Sequence, residues 1–532
     1  MKKILLISFI GFVIYTGSLN AKTINWTEAH KYIGQNVVIE GVIKYTKNIG
    51  IICFLNFSPD FEKYLSLVIF KEYLPSFPYS PEIYYYLKKV SVSGRITEYK
   101  GKPQIMLYSS AQIKVIGEYQ RLANKQPCEC NYPDQLEITS INIGQGDATL
   151  IATSSKIMLA DAGESFWNSN FDALKIDKTI RQKYGENCHC IDYVLISHFH
   201  LDHIGYIYFP EIIDDIPLNE NLQPLTIGES PYKPIGFGGL GYLVLEQGYQ
   251  IGKMIVRDYH NHNPNRLPED GGSKTFRNWQ IILESKEGKN LFNPEIVKLG
   301  AAQVDLGKIG DKSVTIDIIA SDGATAAFSS GCDPAVFFGG QEYKIRGNHV
   351  KDKIPPSEND LCICFVVSYG DFQMFIGGDL SGENCESKYG YRYHDMETCL
   401  TKDLYILEKY GNKIEILRAN HHGSSHSSNL DFLKMINPLI TIFSVGDYNG
   451  YGHVDSRILD NSVQYSKKVF LTECGDKIKS KQEADEHKII IIDNEYPQQL
   501  ENNEFDDPNI EIFVNKDGKK FIVQGYHYLS KK

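Results

Sequence analysis

After residue 21 the chain has no apolar run long enough to cross a bilayer, which takes about 20 residues, so a helical membrane channel is excluded. It has no internal repeat and no low-complexity tract. There is no G-x-S-x-G turn in a strand–helix context, which leaves a serine triad unsupported. No CxxC…CxxC zinc module is present, and the glycine run Gly236 to Gly241 has no strand–turn–helix context that would make it a nucleotide loop. Positive charge is short where it would matter for a polyanion. Between Lys22 and Gln120 there are 12 Lys/Arg against 8 Asp/Glu, and with Lys2 and Lys3 set aside the net −11 of the whole leaves −17 for residues 121–532. Such a surface repels polyanions and tolerates bound cations.

What is present begins with Met1-Lys2-Lys3, the apolar run Ile4 to Tyr15 and then Ser18-Leu19-Asn20-Ala21. This has the layout of a secretory signal, residues 1–21, cut after Ala21. The expected location is the periplasm or the medium, with retention as an N-terminal anchor as the alternative. Eleven cysteines cannot all pair within the chain. They include three C-x-C pairs: Cys128/Cys130, Cys188/Cys190 and Cys362/Cys364. Export permits disulfides among them, with connectivity left open. The last pair lies on one face of an apolar strand and suits buried packing.

At 532 residues the chain exceeds one ordinary core, and it reads as two units. Residues 22–118 carry about five short strands (36–43, 51–57, 66–70, 89–96 and 103–107) around a helical or irregular insert, which suits a small Greek-key barrel. The phrases Gly34 to Gly41, Phe54-Leu55-Asn56-Phe57 and Tyr99 to Ile105 resemble bacterial OB-fold domains that sit beside nuclease or hydrolase domains. OB-folds often bind single strands by aromatic stacking and a basic groove. Lys100 and Lys102, with Tyr99 and Tyr108, are the candidate contacts, and surface solvation is the alternative. Residues 119–135 read as a linker. Residues 136–532 alternate strands with helices, a layered α/β pattern, interrupted at about 217–299 by a segment expected to be a flexible insertion.

The most informative segment is Ser197-His198-Phe199-His200-Leu201-Asp202-His203, directly after the apolar run Tyr193 to Ile196. Three imidazoles and a carboxylate crowded at a strand end can converge on one point, and that donor set suits Zn²⁺ or a similar borderline ion. Three further apolar runs end in the same chemistry: Ile157 to Asp161, Phe372 to Asp379, and Ile414 to the pair His421-His422. Neighbouring strand ends would bring these groups together around a pair of metals.

With Ile143-Gly144-Gln145-Gly146-Asp147-Ala148, Leu159-Ala160-Asp161-Ala162-Gly163, His198 to His203, Gly377-Gly378-Asp379, His421-His422-Gly423-Ser424, Ser444-Val445-Gly446 and Tyr451-Gly452-His453, the order of motifs from Leu136 to Asp476 resembles the metallo-β-lactamase superfamily. Its branch of ComEC-type competence hydrolase domains is the most similar. The resemblance implies an αβ/βα sandwich with the site at one edge of its sheets. It implies two divalent ions, Zn or Mn. His198 and His200 would bind one ion and Asp202 and His203 the other, with Asp379 bridging and one of His421 and His422 adding a ligand. Asp202 and Asp379 would be the catalytic carboxylates. Asp161, and with it Asp147, would orient ligand histidines by hydrogen bonding. Ser424 and His453 would contact substrate, although Val454 replaces the proline of the competence-type motif. A further ligand histidine common in the superfamily has no clear equivalent, since His260, His262 and His349 stand in no ligand context.

The expected activity is hydrolysis by a water shared between the two ions, acidified to react near neutral pH. A phosphodiesterase or nuclease acting on single-stranded DNA or another phosphodiester polymer is the leading reading. A hydrolase of a small ester (phosphorylcholine or a lactone) and a metal-holding binding protein are the alternatives.

Overall fold

The computed structural model describes residues 22–531 apart from 49–50, 59–63, 79–80, 87, 119–125, 165–170, 209–234, 237, 261–270, 327–341, 346–347, 352–355, 388–390, 448, 476–487 and 493–507. The expected signal, residues 1–21, therefore lies outside the described residues, as do parts of the linker and of segment 217–299. Among the described residues no helix is long and apolar enough to cross a membrane. The chain divides into two compact units, residues 1–119 and 120–532.

The first unit is all-β with short helical turns. Alternation of apolar and polar residues makes its strands. Asn36–Val42 buries Val37 and Ile39, and Lys88–Tyr99 buries Val90, Val92 and Ile96. The long strand pairs with Asn36–Val42 through Lys89 to Arg95, then with Lys102–Met106 from Ile96 onward. A Cβ at Gly94, just before that change of partner, would come within 2.5 Å of Ile105. All five expected strands are present. Lys22–Ile24, Tyr45–Asn48 and Ile113–Glu118 add three more; the first two are very short, and Tyr45–Asn48 is rich in polar residues, so they give little periodic signal. The expected insert is a 3₁₀ turn at Lys71–Ser76 and a helical turn at Pro81–Tyr84.

The second unit is mixed α/β, with two nine-stranded sheets. In the first, Ile157–Glu164, Cys190–Leu195 and Gln250–Val256 run parallel side by side, with Gly146–Ala152, Leu136–Ser140 and Ile510–Val514 added antiparallel beyond Ile157–Glu164. The centre of the second is the parallel set Phe372–Ile376, Ile416–Arg418, Ile440–Phe443 and Lys468–Leu471. Leu136, Ile138 and Met158 from the first sheet share one apolar core with Ile318, Val367, Met374 and Ile442 from the second. Every residue of Gly146–Ala152 is buried, as expected for a strand covered on both faces. On the other side of the second sheet, Met396, Leu400, Ile406, Phe432 and Leu433 of three short helices pack on Val366, Phe375 and Leu417. Each such side chain contributes about 1.5–3 kcal/mol by leaving water.

Part of the segment expected to be a flexible insertion is instead built into the first sheet. Gln250–Val256 is an interior strand of that sheet and Pro294–Ile296 pairs parallel beside it, with helices Gly271–Glu284 and Lys286–Phe292 between them. The strand escaped notice because only Met254, Ile255 and Val256 of its seven residues are buried, too few for a periodic signal. The glycine run also has a local context that its sequence did not suggest. It starts at the end of the two-residue strand Ile235–Gly236 and runs into the helix Gly239–Leu245. Its job is close packing: at φ +51°, a Cβ on Gly239 would collide with Ala162 O and crowd Gly205.

Candidate metal centre

The four motif-bearing strand ends come from both sheets. Ile157–Glu164 and Cys190–Leu195 are parallel neighbours in the first, Phe372–Ile376 and Ile416–Arg418 in the second. Asp161 within the first of these strands, and the His198 loop, Asp379 and the His421-His422 turn after the other three, are brought to one place between the sheets. Leu201–Ile204 forms one helical turn that lifts Asp202 and His203 into it. His198, His203, Asp379 and His422 are each at most 1% exposed.

Two donor groups form there. His198, His200 and Asp379 make one, and Asp147, His203, Asp379 and His422 make the other. Within each, the donor atoms lie within 4.8 Å of one another. Asp379 belongs to both. Its Oδ1 is 3.0 Å from His203 Nε2 and 3.5 Å from His422 Nε2, and its Oδ2 is 3.9 Å from His198 Nε2. Nε2 of His203, Nε2 of His422 and Oδ1 of Asp379 are buried without a hydrogen-bond partner. Converging orphan atoms of this kind cost free energy unless something polar joins them. Imidazole nitrogens and carboxylate oxygens are the donors a divalent transition ion takes, so the residues fit a metal.

The hydrogen bonds behind the donors fix which nitrogen faces inward. Asp161, 3% exposed and at φ +55°, accepts from Ser197 N (2.7 Å), Ser197 Oγ (2.8 Å) and His203 Nδ1 (3.0 Å). His422 Nδ1 lies 2.9 Å from the Ser444 carbonyl, which can only accept. Both rings therefore carry a proton on Nδ1 and turn Nε2 towards Asp379. Burial opposes a charge on His203, yet Asp379, Asp161 and Asp202 raise its pKa well above the usual value. Burial opposes ionisation of Asp379, yet His203, His421 and His422 hold its carboxyl well below the usual range. Asp202, whose Oδ2 is 3.5 Å from His422 Nε2, is likewise held at about 2 against burial, by His203 and His422.

Of the expected residues, His198, His200, His203, Asp379 and His422 fall within the donor groups, and Asp202 stands beside His422. Asp147, expected behind the ligands, lies 3.8 Å from His203 Nδ1 and is paired with the buried Arg418, and it also falls within the second donor group. His421 faces Asn359 and lies 3.6 Å from Asp379 Oδ2. Ser424 is buried, its Oγ accepting from His426 N at 3.4 Å. His453 takes Gln145 Nε2 at 3.2 Å on Nδ1, and burial next to His421 and His422 pushes its pKa down to about 3. Its ring stacks on His422 at 6.1 Å and on Tyr451 at 5.7 Å, forming a rim that Tyr393 continues beside His421. Lys100 and Lys102 lie at the hairpin turn of the other unit, Lys100 at 5.6 Å over the Tyr99 ring. His260 pairs with Glu284 at 3.2 Å. His262 and the side chain of His349 lie outside the described residues.

Sequence reasoning missed the scaffolding. His421 and His422 both hold left-handed backbone, φ +48° and +51°, which costs roughly 1–2 kcal/mol each. Glu397 offsets this from beneath. Fully buried, it accepts from Asn420 Nδ2 (2.7 Å), Ser428 N (2.6 Å) and Asn429 N (2.6 Å). Burial still pushes its carboxyl up to about 7. On the other side, Arg257 donates from Nε and Nη2 to Glu358, both at 2.6 Å, and Glu358 accepts Phe199 N at 3.0 Å inside the histidine motif. Glu397, Arg257 and Glu358 adjoin none of the motifs in sequence, so no local pattern announces them. Paired histidines after a strand were a signal for a tight turn, but not for its support.

No family model matches the chain and no curated protein matches it. Among solved structures, 18% of the chain is similar to asparaginyl-tRNA synthetase from Pyrococcus horikoshii, at 18% identity and TM-score 0.15, covering 23% of that chain. Another 18% match is to an OBody bound to hen egg-white lysozyme, at 15% identity and TM-score 0.14, covering 93% of that chain. The Stn1–Ten1 complex of S. pombe matches 19% at 17% identity and TM-score 0.13, covering 80% of that chain. Similarity at these scores carries no argument for what the chain does.

Proposed function

We propose that this chain is a metal-dependent hydrolase of phosphodiesters, with two divalent ions, Zn or Mn, at the centre between its sheets. The observation that carries the reading is Asp379 shared by two donor groups. The order of motifs supports placing the unit among metallo-β-lactamase-like αβ/βα sandwiches of the ComEC type, and two sheets sharing one core agree with that. Divalent ions in such a setting acidify water and neutralise charge developing on a phosphoryl oxygen. The residues do the rest. Asp161 with Ser197, and the Ser444 carbonyl, hold a proton on Nδ1 of His203 and His422 and so leave Nε2 of each as the nitrogen that would take an ion. Asp147 pairs with Arg418, while Asp161, Asp202 and Asp379 stand against the histidines, and carboxylates gathered in this way favour cations. The all-β unit serves as an OB-like module for single-stranded nucleic acid, and the N-terminal segment as an export signal.

A second reading, hydrolysis of a small ester, is favoured by the rim. Tyr451, His453 and Tyr393 present rings, and Arg457 is tied to the Ser425 carbonyl at 2.7 Å. A panel of single- and double-stranded DNA, RNA, bis-nitrophenyl phosphate, phosphorylcholine esters and lactones, run with Mn²⁺ or Zn²⁺, decides between the readings. The protein should hold one to two metal equivalents, and His200→Ala with Asp379→Ala should remove most metal and nearly all hydrolysis while the circular dichroism stays unchanged. Unchanged metal content in that double variant refutes the centre.

A further inference from the structure

Away from the candidate centre, four cysteines from two C-x-C pairs meet on the strap that leads into the second unit. Cys128 is bonded to Cys190, and Cys130 to Cys188. The two disulfides are not separate features. Cys130 Sγ and Cys190 Sγ, which are not bonded to each other, are only 3.5 Å apart, and the sulfurs of Cys128, Cys130 and Cys190 all lie within 4.8 Å of one another. In a tetrahedral thiolate site with Zn–S about 2.3 Å, neighbouring sulfurs stand about 3.8 Å apart. The unbonded sulfurs of Cys130 and Cys190 are thus already near the spacing such an ion requires, with Cys128 inside the same group and Cys188 held beside Cys130 by its disulfide.

Reduction would not scatter them, because the strap is held by its backbone as well. Glu129 N donates to Asn187 O (3.1 Å), Asn131 N to Tyr184 O (2.8 Å) and His189 N to Pro127 O (3.3 Å), and Cys128 and Cys188 face each other in a β-bridge. Both C-x-C pairs therefore stay presented to each other with no covalent link. We propose that this cluster is one closure with two chemical states: two disulfides when oxidised, and a four-thiolate structural Zn²⁺ site when reduced. Each disulfide takes two electrons and two protons from a small dithiol, which leaves as its own disulfide. Zn²⁺ then displaces protons from the four thiols as it binds. The strap thereby keeps its hold on the segment entering strand Cys190–Leu195 in a reducing as well as an oxidising compartment.

The test uses the full chain carrying His200→Ala and Asp379→Ala, so that the imidazole–carboxylate centre does not contribute. The protein is reduced with a small dithiol, freed of it under argon and titrated with Co²⁺, then Zn²⁺. One equivalent of Co²⁺ should bind with a sulfur-to-cobalt charge-transfer band that Zn²⁺ displaces, and the oxidised protein should show no such band. Cys128→Ser with Cys130→Ser should abolish it, whereas Cys128→His, which keeps four ligands but cannot form the Cys128–Cys190 bond, should retain it in shifted form. Absence of the band in the reduced protein, or its persistence in the double serine variant, overturns the proposal.

Discussion

Asp161→Asn is the sharpest probe of the centre, because it changes one atom and reverses one hydrogen bond. Asp161 Oδ1 accepts Ser197 N, and Oδ2 accepts both Ser197 Oγ and His203 Nδ1. In the asparagine variant the amide oxygen keeps the backbone donor, since that N–H cannot rotate away. The amide NH₂ must then face His203 Nδ1. Two donors cannot share that contact, so the His203 proton moves to Nε2, the atom that faces Asp379 at 3.0 Å. A protonated Nε2 cannot bind metal. Restoring the productive tautomer forfeits a charge-assisted hydrogen bond worth about 1.5–3 kcal/mol. At about 1.4 kcal/mol per tenfold, a loss near 2 kcal/mol weakens the ion held through His203 by roughly 30-fold, within the 10–100-fold typical of residues behind metal ligands. Competition with a chromophoric chelator measures this. The ion held through His198 and His200 should be weakened far less, so one equivalent is retained, and hydrolysis should fall at limiting metal. Unchanged affinity for both ions refutes the tautomer argument, and loss of both equivalents would make Asp161 a direct ligand.

Glu397 carries a pH signature. Its folded-state pKa of about 7 stands above the ordinary 4.5, so between those values the native state holds a proton that the unfolded chain has released, and stability falls as pH rises through the window. Glu397→Gln should flatten that slope by up to about 3 kcal/mol, seen as thermal midpoints that differ less between pH 5 and pH 8 at saturating metal; equal slopes in the two proteins refute it. Arg257→Met strands the buried Glu358 carboxylate and should destabilise by about 3–5 kcal/mol, with much of the loss recovered in Arg257→Met/Glu358→Leu; chemical denaturation reads both, and a cost under about 1 kcal/mol for the single variant counts against the pair. Residues 22–118 should fold alone and bind single-stranded DNA with affinity that falls as salt rises, and Lys100→Glu with Lys102→Glu should weaken it. Deleting the unit should cost more on long DNA than on a nitrophenyl diester, and equal losses would make it a buttress only.

The parts legible in the sequence are those whose cause is local. The strand before His198 announced itself by four apolar residues, and the motif by spacing within six positions. The alternation of Asn36–Val42 likewise decides its buried face. Where the cause is distant, the sequence is mute. That Asp147 stands 3.8 Å from His203 follows from the antiparallel pairing of Gly146–Ala152 with Ile157–Glu164, which only the folded sheet establishes. Glu397 lies in a short helix and Arg257 just after a strand, places that any charged residue can occupy, and their meaning lies in partners brought up by other elements. The same holds for the pairing of Cys128 with Cys190 rather than Cys188, a choice among connectivities equal in sequence terms.

The second unit begins at a strand that cannot be finished early. Leu136–Ser140 pairs with Ile510–Val514, and Thr139 Oγ1 reaches Glu511 Oε2 across 372 positions. At about 5–20 residues per second, a ribosome takes roughly 20–75 s to supply that partner. Throughout this interval one edge of the first sheet waits open, and the long loop must be closed before the contact contributes anything. The chain thus carries a built-in delay: its donors are synthesised well before the frame that brings them to rest is complete.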